Sequence, residues 1–188
     1  MIISFSVFCK IKWNCMRFLF LTVYFSLVFI SCKDNCEQYK GYDIIIPDNI
    51  ECLTTGADTI SSKMRSSQYK YIVFVDSLKC STCAIKQLPK WLNLVNYATR
   101  FPHKISVFFI FETKLELYDF NRKALLHADI YYPIFLDSLS RFRKANPSIL
   151  NDKKVECIMV DSMNKVLFIG DILKNRQARM EFNNILKR

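Results

Sequence analysis

Two periods organise the chain from residue 69 onward. Tyr71 to Val75 (YIVFV) and Ile105 to Phe111 (ISVFFIF) are apolar runs bounded by polar residues, the pattern of strands covered on both faces. Between them Ile85, Leu88, Leu92 and Val95 recur at intervals of three and four, which predicts a helix. Pro89 lies inside that stretch and predicts a kink. Leu117, Phe120 and Ala124 mark a helix over about 114–128. Ile134-Phe135-Leu136, after Pro133, reads as a short strand, with a short helix near 138–145. Val155 to Val160 and Lys165 to Ile169 read as strands, and Asp161-Ser162-Met163-Asn164 between them is turn-forming. Ala178, Phe182 and Ile185 put an apolar stripe on a C-terminal helix. Upstream, Ile44 to Ile46 before Pro47 predicts a short strand, and residues 54–69, rich in Thr and Ser, predict a loop or an irregular edge hairpin. Strand and helix alternate, then a hairpin and a helix complete the order. That is an α/β pattern without internal repeats.

The N-terminus carries a different signal. Phe18 to Ser31 (FLFLTVYFSLVFIS) has no charge, and Arg17 stands directly before it. Such a run makes about 21 Å of helix, short of the ~30 Å hydrocarbon core of a bilayer. A positive start and then a short apolar run is the pattern of a secretory signal; an uncleaved membrane anchor is the other reading. Met16 opens the pattern, so a start there would leave residues 1–15, with Cys9 and Cys15, outside the protein. The run ends Phe29-Ile30-Ser31-Cys32, which resembles the lipobox of bacterial lipoproteins, although Phe29 replaces the more common Leu. The resemblance implies a signal peptide over residues 1–31 and lipidation of Cys32, with the acyl chains as membrane anchor. Lys33, where Asp often marks inner-membrane retention, implies the outer membrane, facing the periplasm or the cell surface. The mature chain of 157 residues would then begin with a polar tether over residues 32–42 and continue as one domain over residues 43–188, with room for a sizeable core.

Composition narrows the function. The chain is 51% hydrophobic and 23% charged, which excludes a disordered protein. Lys and Arg number 27 against 17 Asp and Glu. Lys10, Lys12 and Arg17 lie on residues 1–31, so 24 bases face 17 acids on the remainder, a net of +7. No block of five like charges occurs, nor any RNA-binding or zinc-finger motif. A nucleic-acid partner is therefore not expected.

The candidate chemistry is Cys80-Ser81-Thr82-Cys83. The pair comes after a buried strand and opens a helix, one helical turn apart. Unpaired N–H groups and the helix dipole at such a terminus stabilise a thiolate. Cys80 would attack a substrate disulfide, and Cys83 would resolve the mixed disulfide. Lys79 adds a neighbouring positive charge, of little effect if it is flexible and exposed. Zinc would need a second ligand pair, and the sequence has no other Cys-x-x-Cys; His103 and His127 are single and expected at the surface. Cys157 falls in a strand and reads as a core residue. Cys36 and Cys52 could pair in an oxidising envelope, but connectivity cannot be read from spacing. Trp91 is expected in the core. Peroxiredoxin-like proteins use a Thr two or three residues before one nucleophilic Cys in a Pro-rich loop, with an Arg from elsewhere; Ser77 lies three before Cys80, with no proline between, which disfavours a resemblance to them.

Residues 70–169 resemble the thioredoxin superfamily, most closely its envelope lipoprotein and redoxin-like thiol-disulfide reductase members. The match is carried by Cys80 and Cys83, by Pro89 six residues after Cys83, by Tyr132-Pro133-Ile134-Phe135-Leu136-Asp137, and by the strand–turn–strand of Val155 to Ile169. The resemblance implies a three-layer sandwich with a central mixed sheet, Cys80 as nucleophile, Cys83 as resolving thiol, and protein thiols or disulfides as substrates alongside a redox partner. It implies no cofactor. Three positions depart from the family. Its helix proline is commonly five residues after the motif, not six. Its cis-proline before the penultimate strand is here Val155, where a cis bond costs ~3 kcal/mol against about 0.5–1 for proline, so a trans bond is expected. Its buried acid six residues before the nucleophile is here Phe74. Asp76, four before Cys80, is either a substitute proton acceptor or an exposed loop carboxylate; its loop position favours the second. Two functions lead: a membrane-anchored thiol-disulfide oxidoreductase of the bacterial envelope, or a non-catalytic accessory lipoprotein that keeps the fold and a static disulfide; a third, weaker reading is a lipoprotein of nutrient uptake or a stress response with redox incidental.

Overall fold

The two apolar runs form adjacent central strands. In the computed structural model, which describes residues 38–53, 64–128, 132–152 and 154–187, the strands are β1 (Glu51–Cys52), β2 (Tyr69–Val75), β3 (Ile105–Glu112), β4 (Ile134–Asp137), β5 (Cys157–Asp161) and β6 (Val166–Ile169). They form one mixed sheet in the order β1-β4-β3-β2-β5-β6. β2 pairs parallel with β3 and antiparallel with β5, so the strand that leads to the cysteines is hydrogen-bonded on both edges. The helices are α1 (Ser81–Gln87), α2 (Leu92–Arg100), α3 (Tyr118–Leu126), α4 (Arg141–Ala145), α5 (Pro147–Leu150) and α6 (Arg176–Leu186). Among the described residues no helix is long and apolar enough to cross a membrane.

Alternation along the strands builds two cores. Tyr71, Val73, Val107 and Phe109 pack with Trp91, Leu94 and Phe182 on one face. Ile72, Phe74, Phe108 and Ile110 pack with Phe142 and Ile149 on the other. Burial of this apolar surface on both faces is the main stabilising term, and the result is the expected three-layer α/β sandwich. Tyr71 brings a phenol into the centre of the first core; it donates to Gly170 O at 2.8 Å and accepts from Ile172 N at 3.2 Å. The Asp161–Asn164 turn closes as its chemistry predicts. Asp161 Oδ1 accepts from Met163 N and Lys165 N at 2.8 and 2.9 Å, and Asn164 adopts φ +62°.

Several expectations shift. Pro89 does not bend one long helix; it lies in a 3-10 turn, Leu88–Trp91, that separates α1 from α2. A proline has no N–H to give to the helical ladder. The helix expected over 114–128 is shorter, a 3-10 turn at Leu115–Leu117 running into α3. Strand β5 starts at Cys157, not Val155. Tyr39 is buried, and Gly41 N and Tyr42 O bond Val166 at 2.8 Å each, so residues 39–42 of the expected tether pack on the domain.

Ile44 to Ile46 is not a strand; only Asp43 makes an isolated bridge, to Lys165. The segment is extended, with Ile44 and Ile46 buried and Ile45 exposed. A buried side chain takes the place of a partner strand. Asn146 Oδ1 accepts from Ile45 N, and Asn146 Nδ2 donates to Ile45 O, both at 2.8 Å. Asn146→Ala leaves these backbone groups without their partner, and the expected loss of stability in urea unfolding is about 2–3 kcal/mol.

Candidate functional site

Strand β2 leaves the sheet at Val75, and the next five residues turn sharply into α1. Asp76 makes the turn: its Oδ1 accepts from Leu78 N at 2.8 Å and its carbonyl from Lys79 N at 2.9 Å. Cys80 then caps α1 in an extended conformation (φ −66°, ψ 99°), and Cys83 N donates to Cys80 Sγ at 3.2 Å. Cys80 and Cys83 are joined as a disulfide, with Cα atoms 5.2 Å apart, and both residues are exposed. The N–H groups of the first turn of α1 have no intrahelical acceptors. Released as a thiolate, Cys80 Sγ would sit where those dipoles converge.

Behind this turn lies a charged cluster that the sequence did not announce. Arg143 Nη2 reaches Asp76 Oδ2 at 2.9 Å and Glu112 Oε2 at 2.8 Å. Arg143 Nη1 also donates to Leu150 O at 2.6 Å, and its guanidinium lies 5.2 Å from the centre of the Phe74 ring. Glu112 Oε2 accepts from Ser77 N and Ser77 Oγ at 3.2 and 3.1 Å. Burial alone would push the Glu112 carboxyl up; hydrogen bonds from Arg143, Ser140 and the Ser77 amide, with the Arg143 charge, hold it at about 2. The hydrogen bond to Glu112 raises the Arg143 pKa in turn. Asp76, expected as an exposed loop carboxylate, is therefore a correction: it is 5% exposed and ion-paired, since a buried carboxylate needs a cation beside it. Ser77 spends its hydroxyl on Glu112. Asn121 Nδ2 bonds Thr113 Oγ1 at 2.6 Å and Ser81 Oγ at 3.4 Å, tying α3 to the start of α1.

In front of the disulfide is a cleft of about 200 Å³. Cys80, Cys83, Ala84, Leu88 and Trp91 line one side; Glu156 and Cys157 of the segment entering β5, and Asp171 and Lys174 of the β6–α6 loop, line the other. Lys79 is not a loose surface lysine. Its Nζ lies 2.6 Å from Glu156 Oε1, while Lys174 Nζ lies 2.9 Å from Glu156 Oε2 and 3.3 Å from Asp171 Oδ2. Burial would raise the Glu156 pKa, but the hydrogen bonds from Lys79 and Lys174 outweigh it and leave it below the ordinary value. Cys157 is buried, as its strand position predicts; burial first, and the Asp171 charge second, raise its thiol pKa and keep it protonated.

The predicted site residues thus divide. Cys80, Cys83 and Lys79 meet at the cleft, and Asp76 supports them from behind. Pro89 is exposed; its neighbours Leu88 and Trp91, not the ring itself, line the cleft. Val155 packs in the far core with Ile158 and Ile72. Its place at the cleft is taken by Glu156, whose carbonyl accepts from Phe74 N at 2.7 Å. No cis peptide occurs among the described residues. His103 and His127 are at the surface, and Trp91 is in the core. Cys32 and Cys36, and with them the lipobox and the Cys36–Cys52 pairing, lie outside the described residues. Glu112, Arg143, Glu156, Asp171 and Lys174 escaped the sequence reading. Glu112 and Glu156 did leave a trace, as acids adjoining otherwise apolar strand runs.

No family model matches the sequence, and no curated protein matches it. Solved structures do. An uncharacterized conserved protein from Geobacillus kaustophilus superposes with a TM-score of 0.56 at 14% identity, over 81% of this chain and 85% of that one. A thioredoxin-like protein in its oxidized form superposes with a TM-score of 0.51, also at 14% identity, over 80% of this chain and 97% of that one. The chain has a thioredoxin-like fold. In this thioredoxin-like domain the Cys pair stands at the C-terminal end of the central strand, with Cys80 as the cap and Cys83 on the first turn of the next helix.

The cluster behind the pair has a pH signature. Glu112 titrates near 4.5 when unfolded and at about 2 when folded. Its contribution is therefore complete above pH 4.5 and lost as the pH falls toward 2. Thermal unfolding across that window is expected to show the loss in the wild type and a flatter profile in Glu112→Gln. Arg143→Met, which leaves two buried carboxylates without their cation, is expected to cost about 3–5 kcal/mol at neutral pH.

Proposed function

We propose that this protein is a thiol-disulfide oxidoreductase, anchored by a lipid on Cys32 in the bacterial cell envelope, with Cys80 as nucleophile and Cys83 as resolving thiol. The observation that carries the reading is the exposed Cys80–Cys83 disulfide at the mouth of a cleft, with Cys80 Sγ within hydrogen-bond reach of Cys83 N. The pair sits on a turn held by buried ion pairs, which keeps the sulfurs in place while partners exchange.

In the reduced protein, Cys80 loses its proton and its thiolate attacks one sulfur of a substrate disulfide. The substrate S–S bond breaks; the leaving sulfur departs as a thiolate and takes a proton from solvent. The mixed disulfide then meets the Cys83 thiolate, which attacks Cys80 Sγ. A second substrate thiolate leaves, the substrate is reduced by two electrons, and Cys80–Cys83 is oxidised. Run backward, the same steps oxidise a substrate dithiol. An external thiol or disulfide closes the cycle in either direction. The first attack by Cys80 is supported by its place as the cap of α1, where its sulfur accepts the Cys83 N–H.

Insulin reduction by dithiothreitol is expected to run faster with the wild type than with Cys80→Ser. In cells, Cys83→Ser is expected to accumulate mixed disulfides with envelope proteins. A wild-type rate equal to that of Cys80→Ser, with no adduct on Cys83→Ser, would establish the accessory reading and a static disulfide. For the anchor, metabolic acyl labelling is expected in the wild type and absent in Cys32→Ala; equal labelling of both rejects the lipid on Cys32.

A further inference from the structure

Four charges alternate across the cleft: Lys79, Glu156, Lys174 and Asp171, linked at 2.6, 2.9 and 3.3 Å. They come from three segments that the fold brings together: the turn before α1, the entry to β5 and the β6–α6 loop. The last of these is itself pinned, since Arg179 Nε donates to Ile172 O at 2.8 Å and Arg179 Nη2 to Leu173 O at 3.0 Å. The four charges sum to zero. Glu156 is the acid between two ammonium groups, and one of those belongs to the residue directly before Cys80.

We propose that Glu156 is a positioning residue that sets the acidity of the Cys80 thiol by drawing off and neutralising Lys79. The inference deepens the thiol-disulfide exchange reading and rests on it. A lysine adjoining a nucleophilic cysteine favours the thiolate when its charge is uncompensated. Here the ammonium is held at Glu156, toward β5, and its field at Cys80 is offset by the carboxylate it touches. The effect is a thiol less acidic than sequence adjacency to Lys79 implies. A higher thiol pKa gives a stronger nucleophile once ionised and a smaller ionised fraction at neutral pH. The other titratable groups near Cys80 do not take over this role. Asp76 and Glu112 lie behind the turn and share Arg143. Cys157 and Tyr71 are buried and stay protonated. Asp171 is paired with Lys174, which leaves Glu156 as the acid opposing Lys79.

The test is the pH profile of Cys80 alkylation by iodoacetamide in the reduced full-length protein, read on the Cys80 peptide by mass spectrometry. Glu156→Gln leaves one net positive charge on the cleft. It is expected to move the profile to lower pH and to raise the rate at pH 7 by about three-fold, the scale of one screened neighbouring charge. Lys79→Gln leaves one net negative charge and is expected to move the profile the other way by a similar factor. The double variant restores neutrality and is expected to return toward the wild type. Salt at ~1 M, where the Debye length falls to about 3 Å, is expected to shrink both single-variant shifts. A clasp that merely holds the loops would move both single variants in the same direction and would not be restored by the second substitution. Shifts of like sign, or no shift in variants whose Cys80 still titrates, overturn the Glu156 role while leaving thiol-disulfide exchange intact. Failure of the exchange reading itself shows separately, in the insulin assay with Cys80→Ser.

Discussion

Arg143 is shared by two buried carboxylates, Asp76 and Glu112, and the sharing fixes the place where the central strand leaves the sheet. Strand β2 is covered on both faces and bonded on both edges, so polar backbone can emerge only at its end. At that end the chain must reverse into a helix within a few residues. Glu112 closes β3 beside the end of β2 and takes the Ser77 amide, Asp76 takes the Leu78 amide, and one guanidinium from α4 joins the two acids. Removing Arg143 leaves both acids buried without a cation, which is why such a cluster holds a geometry more firmly than its net stabilisation would suggest.

The same turn is held differently in front. There the ion pairs of Lys79, Glu156 and Lys174 are half-exposed, each worth little to stability because water competes for the charges. Their consequence is local potential, not rigidity. The protein thus separates two tasks. Buried charge behind the turn holds the turn that carries the sulfurs, and the charge in front is the part proposed to tune Cys80. Unfolding therefore reports on substitutions behind the turn, and thiol titration on those in front of it.

The helix after the cysteines shows the same economy of local signals. Cys80 acts as its own cap, accepting the Cys83 amide, so the residue that begins the helix is the one proposed to react. Pro89 then interrupts the helical run with a 3-10 turn in which Leu88 and Trp91 are buried while Pro89 and Lys90 are exposed. Cleft and core share Trp91, so the wall against which a substrate would rest is part of the packed interior.

Much of this was legible in the residues alone. Continuous apolar runs identified β2 and β3, threefold and fourfold spacing identified the α1–α2 stretch, α3 and α6, and Cys80-Ser81-Thr82-Cys83 at the strand-to-helix junction marked the candidate chemistry, because each is a pattern confined to neighbours in the chain. What failed was non-local. Ile44 to Ile46 has the composition of a strand, yet the Ile45 backbone bonds the Asn146 side chain of a distant segment. Asp76 looks like a loop carboxylate until Arg143 arrives from α4 to pair with it. The resemblance sets Val155 at the family's cis-proline position, yet Glu156, one residue on, lines the cleft and Val155 packs in the opposite core, since side chains alternate along extended backbone. Sequence settled the elements and the candidate nucleophile, which depend on periodicity and adjacency. Only the tertiary structure decided which charges surround them, because the energy of a charge depends on burial and on partners supplied by distant segments.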